Sequence, residues 1–165
     1  MEPIRKVGVV GGGQMGSGIA HVVALSGYDV AINDLSRDRY DAALEAITNN
    51  LARQVSRGKI SEDDKAAALA RISFAESYEG LSDADLVIEA ATEDESVKRK
   101  IFVSVCPFLK PDTILATNTS SISITRLAAT TDRPERFIGM HFMNPVPVME
   151  LVEMIRGIAT DDATF

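Results

Sequence analysis

Two periods of apolar residues alternate along the chain. Residues 4–10, IRKVGVV, form a short β-branched run suited to a central parallel strand buried on both faces. From Gln14 to about Ser26 the period becomes helical, with Met15, Ile19, Val22, Val23 and Leu25 recurring on one side and Gly27 at the expected stop. A second strand, YDVAIND, ends in Asp34. Ser36 can then cap a helix to about Arg57 that ends at Gly58, and Ser61 with Asp64 makes an approximate capping box for KAAALA. These two helices, within residues 36–70, read as a pair inserted before the next strand.

RISFA at 71–75 and ADLVIEA at 84–90 read as strands around a polar turn, ESYEGLSD. A helix from about Ser96 to Cys106 meets Pro107, DTILATN at 112–118 is a strand, and a short helical stretch covers about Ile122 to Ala128. RFIGMHF and MELVEMI are two more strands, split by MNPVPV. Such alternation predicts an α/β fold with a doubly wound, mostly parallel sheet and helices on both faces. No repeat, low-complexity tract or linker interrupts it, so residues 1–165 read as one domain.

Composition agrees with a globular domain of this size: 165 residues, 45% hydrophobic and 25% charged. The net charge of -7 is spread over both halves and disfavours nonspecific binding to nucleic acid or anionic membrane. A single cysteine, Cys106, leaves no internal disulfide and no Cys/His set for structural zinc, and no metal site is expected. Without a signal-like start or a membrane-length apolar run, the cytoplasm is the expected setting.

The first strand-to-helix turn changes the picture most. Gly11, Gly13 and Gly16 fit G-x-G-x-x-G. The first glycine permits a tight turn, the second lets a pyrophosphate approach the backbone, and the third allows close helix-to-strand packing. Helix N-terminal amides favour phosphate. Asp34, about twenty residues on at the end of the second strand, can accept both ribose hydroxyls and repel a 2′-phosphate, which favours NAD over NADP within a Rossmann-type fold. Asp34 also suits a turn or cap before LSRD. No Gly-Lys-Ser/Thr follows, which excludes a mononucleotide P-loop.

Polar residues at later strand ends bear on the reaction. Asn118, Thr119, Ser120 and Ser121 follow one apolar strand, while His141 and Glu153 lie within the last two. Hydride transfer from an alcohol needs a base for the hydroxyl proton, and histidine suits this near neutral pH. Glu153 could fix its tautomer, and a serine could orient the substrate oxygen. The residue types alone equally allow a satisfied, partly buried histidine and a turn serine.

Taken together, VGVVGGGQMGSGIA, VIEAATEDESVKRKIF, ATNTSSISI and GMHFMNPVPVMELVEMI resemble the NAD-binding domain of the 3-hydroxyacyl-CoA dehydrogenase family, which includes bacterial 3-hydroxybutyryl-CoA dehydrogenases. The resemblance covers essentially the whole chain. It implies NAD-dependent oxidation of an L-3-hydroxyacyl-CoA to the 3-oxoacyl-CoA, or the reverse, with His141 as acid/base, Glu153 its partner, Ser120 on the substrate oxygen and Asn144 shaping the site. Gln14 and Met15 join the glycines at the cofactor, Glu93 and Lys98 match positions near the nicotinamide ribose, and Asn118 lies beside the cofactor. On residue type alone Glu93 is a helix-start acid and Lys98 an exposed lysine. The helical pair resembles the family's coenzyme A-contacting insertion, with Arg53, Arg57 and Lys59 as candidates for phosphate contacts or, equally, solvated cations.

Family members continue into a helical C-terminal domain that closes the cleft, adds a catalytic-site asparagine and provides much of a homodimer contact. Here the sequence runs to IRGIATDDATF, where Thr160 could cap a further helix before Asp161 and Asp162. The expectation is an isolated N-terminal domain whose helical partner domain is missing, in which nucleotide binding survives and turnover is weakened. Two rivals remain: an NAD-binding module without activity, and a Rossmann dehydrogenase for a small hydroxy acid.

Overall fold

The computed structural model describes residues 2–165. Seven strands form one sheet in the order β3-β2-β1-β4-β5-β6-β7: β1 Lys6–Val10, β2 Asp29–Asn33, β3 Ile72–Ala75, β4 Leu86–Glu89, β5 Ile114–Thr117, β6 Phe137–Phe142 and β7 Val152–Arg156. All neighbours are parallel except β6 and β7, which run antiparallel. The helices are α1 Gln14–Leu25, α2 Arg37–Ser56, α3 Glu62–Ala70, α4 Glu95–Val105 and α5 Ile124–Ala128. This is the doubly wound architecture expected, with the helical pair α2 and α3 between β2 and β3.

Alternation along each central strand sends apolar side chains into two cores. On one face Val7, Val9, Ile32 and Ile88 pack with Ile19 of α1 and Ile47 and Leu51 of α2. On the other, Val10, Val87 and Leu115 pack with Phe102 and Val105 of α4 and Leu127 of α5, where Phe102 meets Phe137 edge-on at 4.9 Å. A sheet covered on both sides leaves the carboxyl ends of its strands as the open rim. Strand order reverses between β1 and β4, the place where such sheets hold ligands.

Local chemistry sets the helix ends. Ser36 accepts from the Arg39 amide, and Ser61 and Asp64 complete a reciprocal capping box. Both α1 and α2 end in Schellman turns: the Tyr28 amide reaches the Val23 carbonyl across Gly27, and the Lys59 amide reaches Gln54 across Gly58.

Three expectations need correction. The polar turn at 76–83 holds a 3-10 turn, Tyr78–Leu81, whose Leu81 is fully buried and packs in the second core, so it is part of the fold rather than a surface connection. The last strand starts at Val152, not Met149, because the residues before it complete the turn that follows Asn144. Thr160 caps no helix: its hydroxyl donates to the Phe137 carbonyl at 2.7 Å and accepts from the Gly157 amide at 2.8 Å. Asp161 takes the capping part, its carboxylate accepting from the Thr164 amide at 2.7 Å.

Candidate functional site

Below the β1–α1 turn, the three motif glycines differ in what excludes a side chain. Gly11 has φ +98°, and a Cβ there would lie 2.6 Å from the Ala91 Cα beyond β4. A Cβ on Gly16 would lie 1.7 Å from the Gly11 carbonyl oxygen. These two are required by the chain's own packing. A Cβ on Gly13 would meet nothing within 4 Å, at an ordinary φ of -69°. The space is left open beside the start of α1, whose first amides have no helical acceptor and whose N-cap offers no side-chain bond. That bare, donor-lined hollow fits a diphosphate.

Asp34 combines both roles open to it. Its Oδ2 accepts from the Gly12 amide at 2.7 Å and its Oδ1 from the Leu35 amide at 2.7 Å, so it pins the glycine turn to the end of β2. Ionised carboxylate oxygens have lone pairs to spare, and Asp34 lines a groove of about 280 Å³ with Gly11, Gly13, Arg39 and Ile101. Those spare lone pairs suit ribose hydroxyls.

A second cleft, about 230 Å³, lies past the tips of β5 and β6 and brings together Met15, Glu93, Asn118, Ser120, His141 and Asn144. His141 and Glu153 are directly opposed in the β6–β7 register, which puts both side chains on one face of the sheet. His141 Nδ1 lies 2.9 Å from Glu153 Oε2, and the side chains are 22% and 51% exposed. A carboxylate accepts only, so Nδ1 carries the hydrogen and Nε2 is left as a base. Ser120 is exposed and its hydroxyl has no hydrogen-bond partner among the described residues. The loop bearing it is held by Thr119, a buried residue whose hydroxyl donates to Glu93 and accepts from the Ile122 amide at 3.2 Å.

Asn144 connects this cleft to the glycine turn, its Oδ1 accepting from Gln14 Nε2 at 3.3 Å. Both residues line a third cleft of about 390 Å³ between α1, the alanines of α2 and Pro145. Across Asn50, Pro145 and Pro147 that space meets a fourth cleft of about 230 Å³, where Arg53, Arg57 and Lys59 converge. None of these three cations has an ion pair among the described residues.

Lys98 departs from its expected place. It lines none of these clefts and is no exposed lysine either: it is fully buried, donating to Glu89 Oε1 at 2.5 Å. Burial on the inner side of α4 turns the ammonium beneath the site instead of into it. Glu89, at the tip of β4, was not singled out by its sequence context. The available signal was a carboxylate inside the apolar run DLVIEA, where only a buried partner makes a charge tolerable.

Comparison with known proteins agrees with this geometry. The family profile described as "3-hydroxyacyl-CoA dehydrogenase, NAD binding domain" matches residues 6–165. A 3-hydroxybutyryl-CoA dehydrogenase of Bradyrhizobium diazoefficiens is 65% identical over 162 residues, covering 98% of this chain and 55% of that protein. One of Clostridioides difficile is 46% identical over 160 residues, 97% of this chain and 57% of that protein. The crystal structure of an (S)-3-hydroxybutyryl-CoA dehydrogenase from Ralstonia eutropha superposes with a TM-score of 0.96 at 49% identity, covering 98% of this chain and 57% of that one. The chain thus spans a little over half the length of the relatives it matches. With the glycine turn, Asp34 and the matched residues 6–165 taken together, the chain belongs to the 3-hydroxyacyl-CoA dehydrogenase family and carries its NAD-binding domain.

Proposed function

We propose that this chain forms the NAD-binding, acid/base-bearing part of an enzyme that interconverts an L-3-hydroxyacyl-CoA and the 3-oxoacyl-CoA. The observation that carries the reading is the His141–Glu153 pair at the mouth of a cleft shared with Asn118, Ser120 and Asn144. When bound, NAD supplies the acceptor for the hydride in oxidation and its donor in reduction. The chain supplies the rest. His141 Nε2 takes the hydroxyl proton as the hydrogen on C3 leaves with its electron pair, and the imidazolium so formed faces the Glu153 carboxylate. The Ser120 hydroxyl, without an internal partner, is placed to bond the substrate oxygen. In reduction, His141 returns the proton to that oxygen.

The three connected clefts support a thioester of coenzyme A as substrate. They run from the His141 cleft, past Asn144 and Asn50, to Arg53, Arg57 and Lys59. A phosphate-bearing tail with a long neutral arm matches that sequence of surroundings. A homodimer, with a helical domain over the cleft, is the assembly this reading implies.

The test has two parts. Calorimetric titration should show that the chain binds NAD. Oxidation of L-3-hydroxybutyryl-CoA should appear or rise when a relative's helical domain is supplied. His141→Gln should lower that turnover about 10²–10⁴-fold and leave NAD affinity within about threefold. Faster turnover of free hydroxy acids than of acyl-CoA would overturn the reading. NAD binding without turnover is the second reading for this chain alone, favoured by the 51% exposure of Glu153, which leaves the pair open to water.

A further inference from the structure

Lys98 and Glu89 are both 0% exposed, a condition these residue types almost never reach unless paired. Their contacts account for almost every polar atom they own. Lys98 Nζ donates to Glu89 Oε1 at 2.5 Å, to Thr117 Oγ1 at 3.3 Å and to the Asn118 carbonyl at 3.4 Å. Glu89 Oε1 also accepts from the Thr117 hydroxyl at 2.8 Å, and Oε2 from the Ala91 amide at 2.9 Å. A buried pair of this kind adds little stability over a well-packed apolar couple of the same size. Where its bonds lead is therefore the informative point.

They lead to Asn118. Its amide donates to the Glu89 carbonyl at 2.8 Å, its carbonyl accepts from Lys98, and its Oδ1 accepts from the Phe142 amide at 2.9 Å. Phe142 directly follows His141, and Asn118 lies two residues before Ser120. One rigid sequence of bonds therefore joins the tips of β4, β5 and β6. The only polar group of Asn118 left without a partner among the described residues is its side-chain Nδ2, and Asn118 lines the His141 cleft.

We propose that Glu89 and Lys98 are positioning residues: from beneath the cleft they fix Asn118, and through its bond to Phe142 they set the distance between Ser120 and His141. The inference rests on the dehydrogenase reading of that cleft. Misplacing a reacting group by about 1 Å can cost about a hundredfold in rate, so a support of this kind has a function that stability alone does not measure.

The test uses the double substitution Glu89→Gln with Lys98→Met, which removes both charges and avoids stranding one of them. The expected result is a cooperative melt close to that of the unaltered chain, hydrogen exchange of the Phe142 amide about tenfold faster, and NAD affinity by calorimetry about tenfold weaker. Thr117→Val, which deletes only the shared hydroxyl, should move exchange and affinity in the same direction by about threefold, whereas Thr117→Ser should leave both unchanged. Phe142 exchange and NAD affinity both within twofold of the unaltered chain, in either the double variant or Thr117→Val, would overturn the proposal. Failure of the unaltered chain to bind NAD would instead sink the functional reading, and Phe142 exchange would still judge the support.

Discussion

A methyl group added at Gly13 has open space around it, whereas one at Gly16 drives into the Gly11 carbonyl. The two positions therefore separate ligand from fold. Gly13→Ala should leave the melting midpoint nearly unchanged and weaken NAD binding by about tenfold or more, as read by calorimetry. Gly16→Ala should destabilise the domain by about 2–4 kcal/mol in a denaturant titration, since backbone must move to admit it. Glu153→Gln keeps a hydrogen-bond partner for Nδ1 and loses the charge facing an imidazolium. Turnover with a helical domain supplied should fall by about 10–100-fold with little change in NAD affinity. At this scale the glycines and Asp34 were legible because they declare themselves through spacing at a strand end, whereas His141 and Glu153 were picked out by residue chemistry and the family resemblance, not by spacing. Lys98 was not legible: it lies in the first turn of a helix, in the largely polar stretch ESVKRK, and only the fold shows that Glu89 waits behind it.

Among the elements, β4 is held at both ends by carboxylates with opposite surroundings. At its foot, Asp85 accepts from the Arg5 and Lys6 amides at 2.8 and 2.9 Å and from Lys110 Nζ at 2.5 Å, tying the starts of β1 and β4 to the segment before β5. Asp85→Asn, which loses the charge of these bonds, should cost about 1–2 kcal/mol by urea unfolding. The strands and helices themselves were readable from period and caps, because burial on both sheet faces makes the central runs nearly continuous in apolar residues. The exceptions came from competition for single groups. Thr160 looked like a cap, yet its hydroxyl is taken by the Phe137 carbonyl, and the polar turn at 76–83 hides Leu81 in the core. The antiparallel addition of β7 was equally invisible in the pattern of MELVEMI, and it is this pairing that sets His141 opposite Glu153.

Over the whole molecule, acid should act in two steps. His21 is buried against Gln54, its Nδ1 without a partner, and burial lowers its pKa below 6.5. The unfolded chain then binds a proton more readily, so stability present above pH 6.5 declines as pH falls below that value, with a slope of at most about 1.4 kcal/mol per pH unit. The hydrogen bond from Lys110, with help from the amides of Lys6 and Arg5, pulls Asp85 down from 3.8 to about 2. Its contribution is complete above pH 3.8 and disappears as pH drops through about 2. Urea midpoints measured from pH 7 to pH 2 should show both declines, and His21→Leu should remove the first alone.

The sole cysteine offers a clock for how often this molecule opens. Cys106 is 7% exposed at the end of α4, on the sheet face away from α1, and burial raises its thiol pKa. A thiol-reactive dye can couple only to the thiolate of an opened chain, so its rate under native conditions counts excursions from the closed form. If those excursions also dismantle the nucleotide turn on the opposite face, NAD at a hundred times its dissociation constant should slow labelling about a hundredfold. An unslowed reaction would mean that the corner around α4 breathes by itself, with the nucleotide still in place.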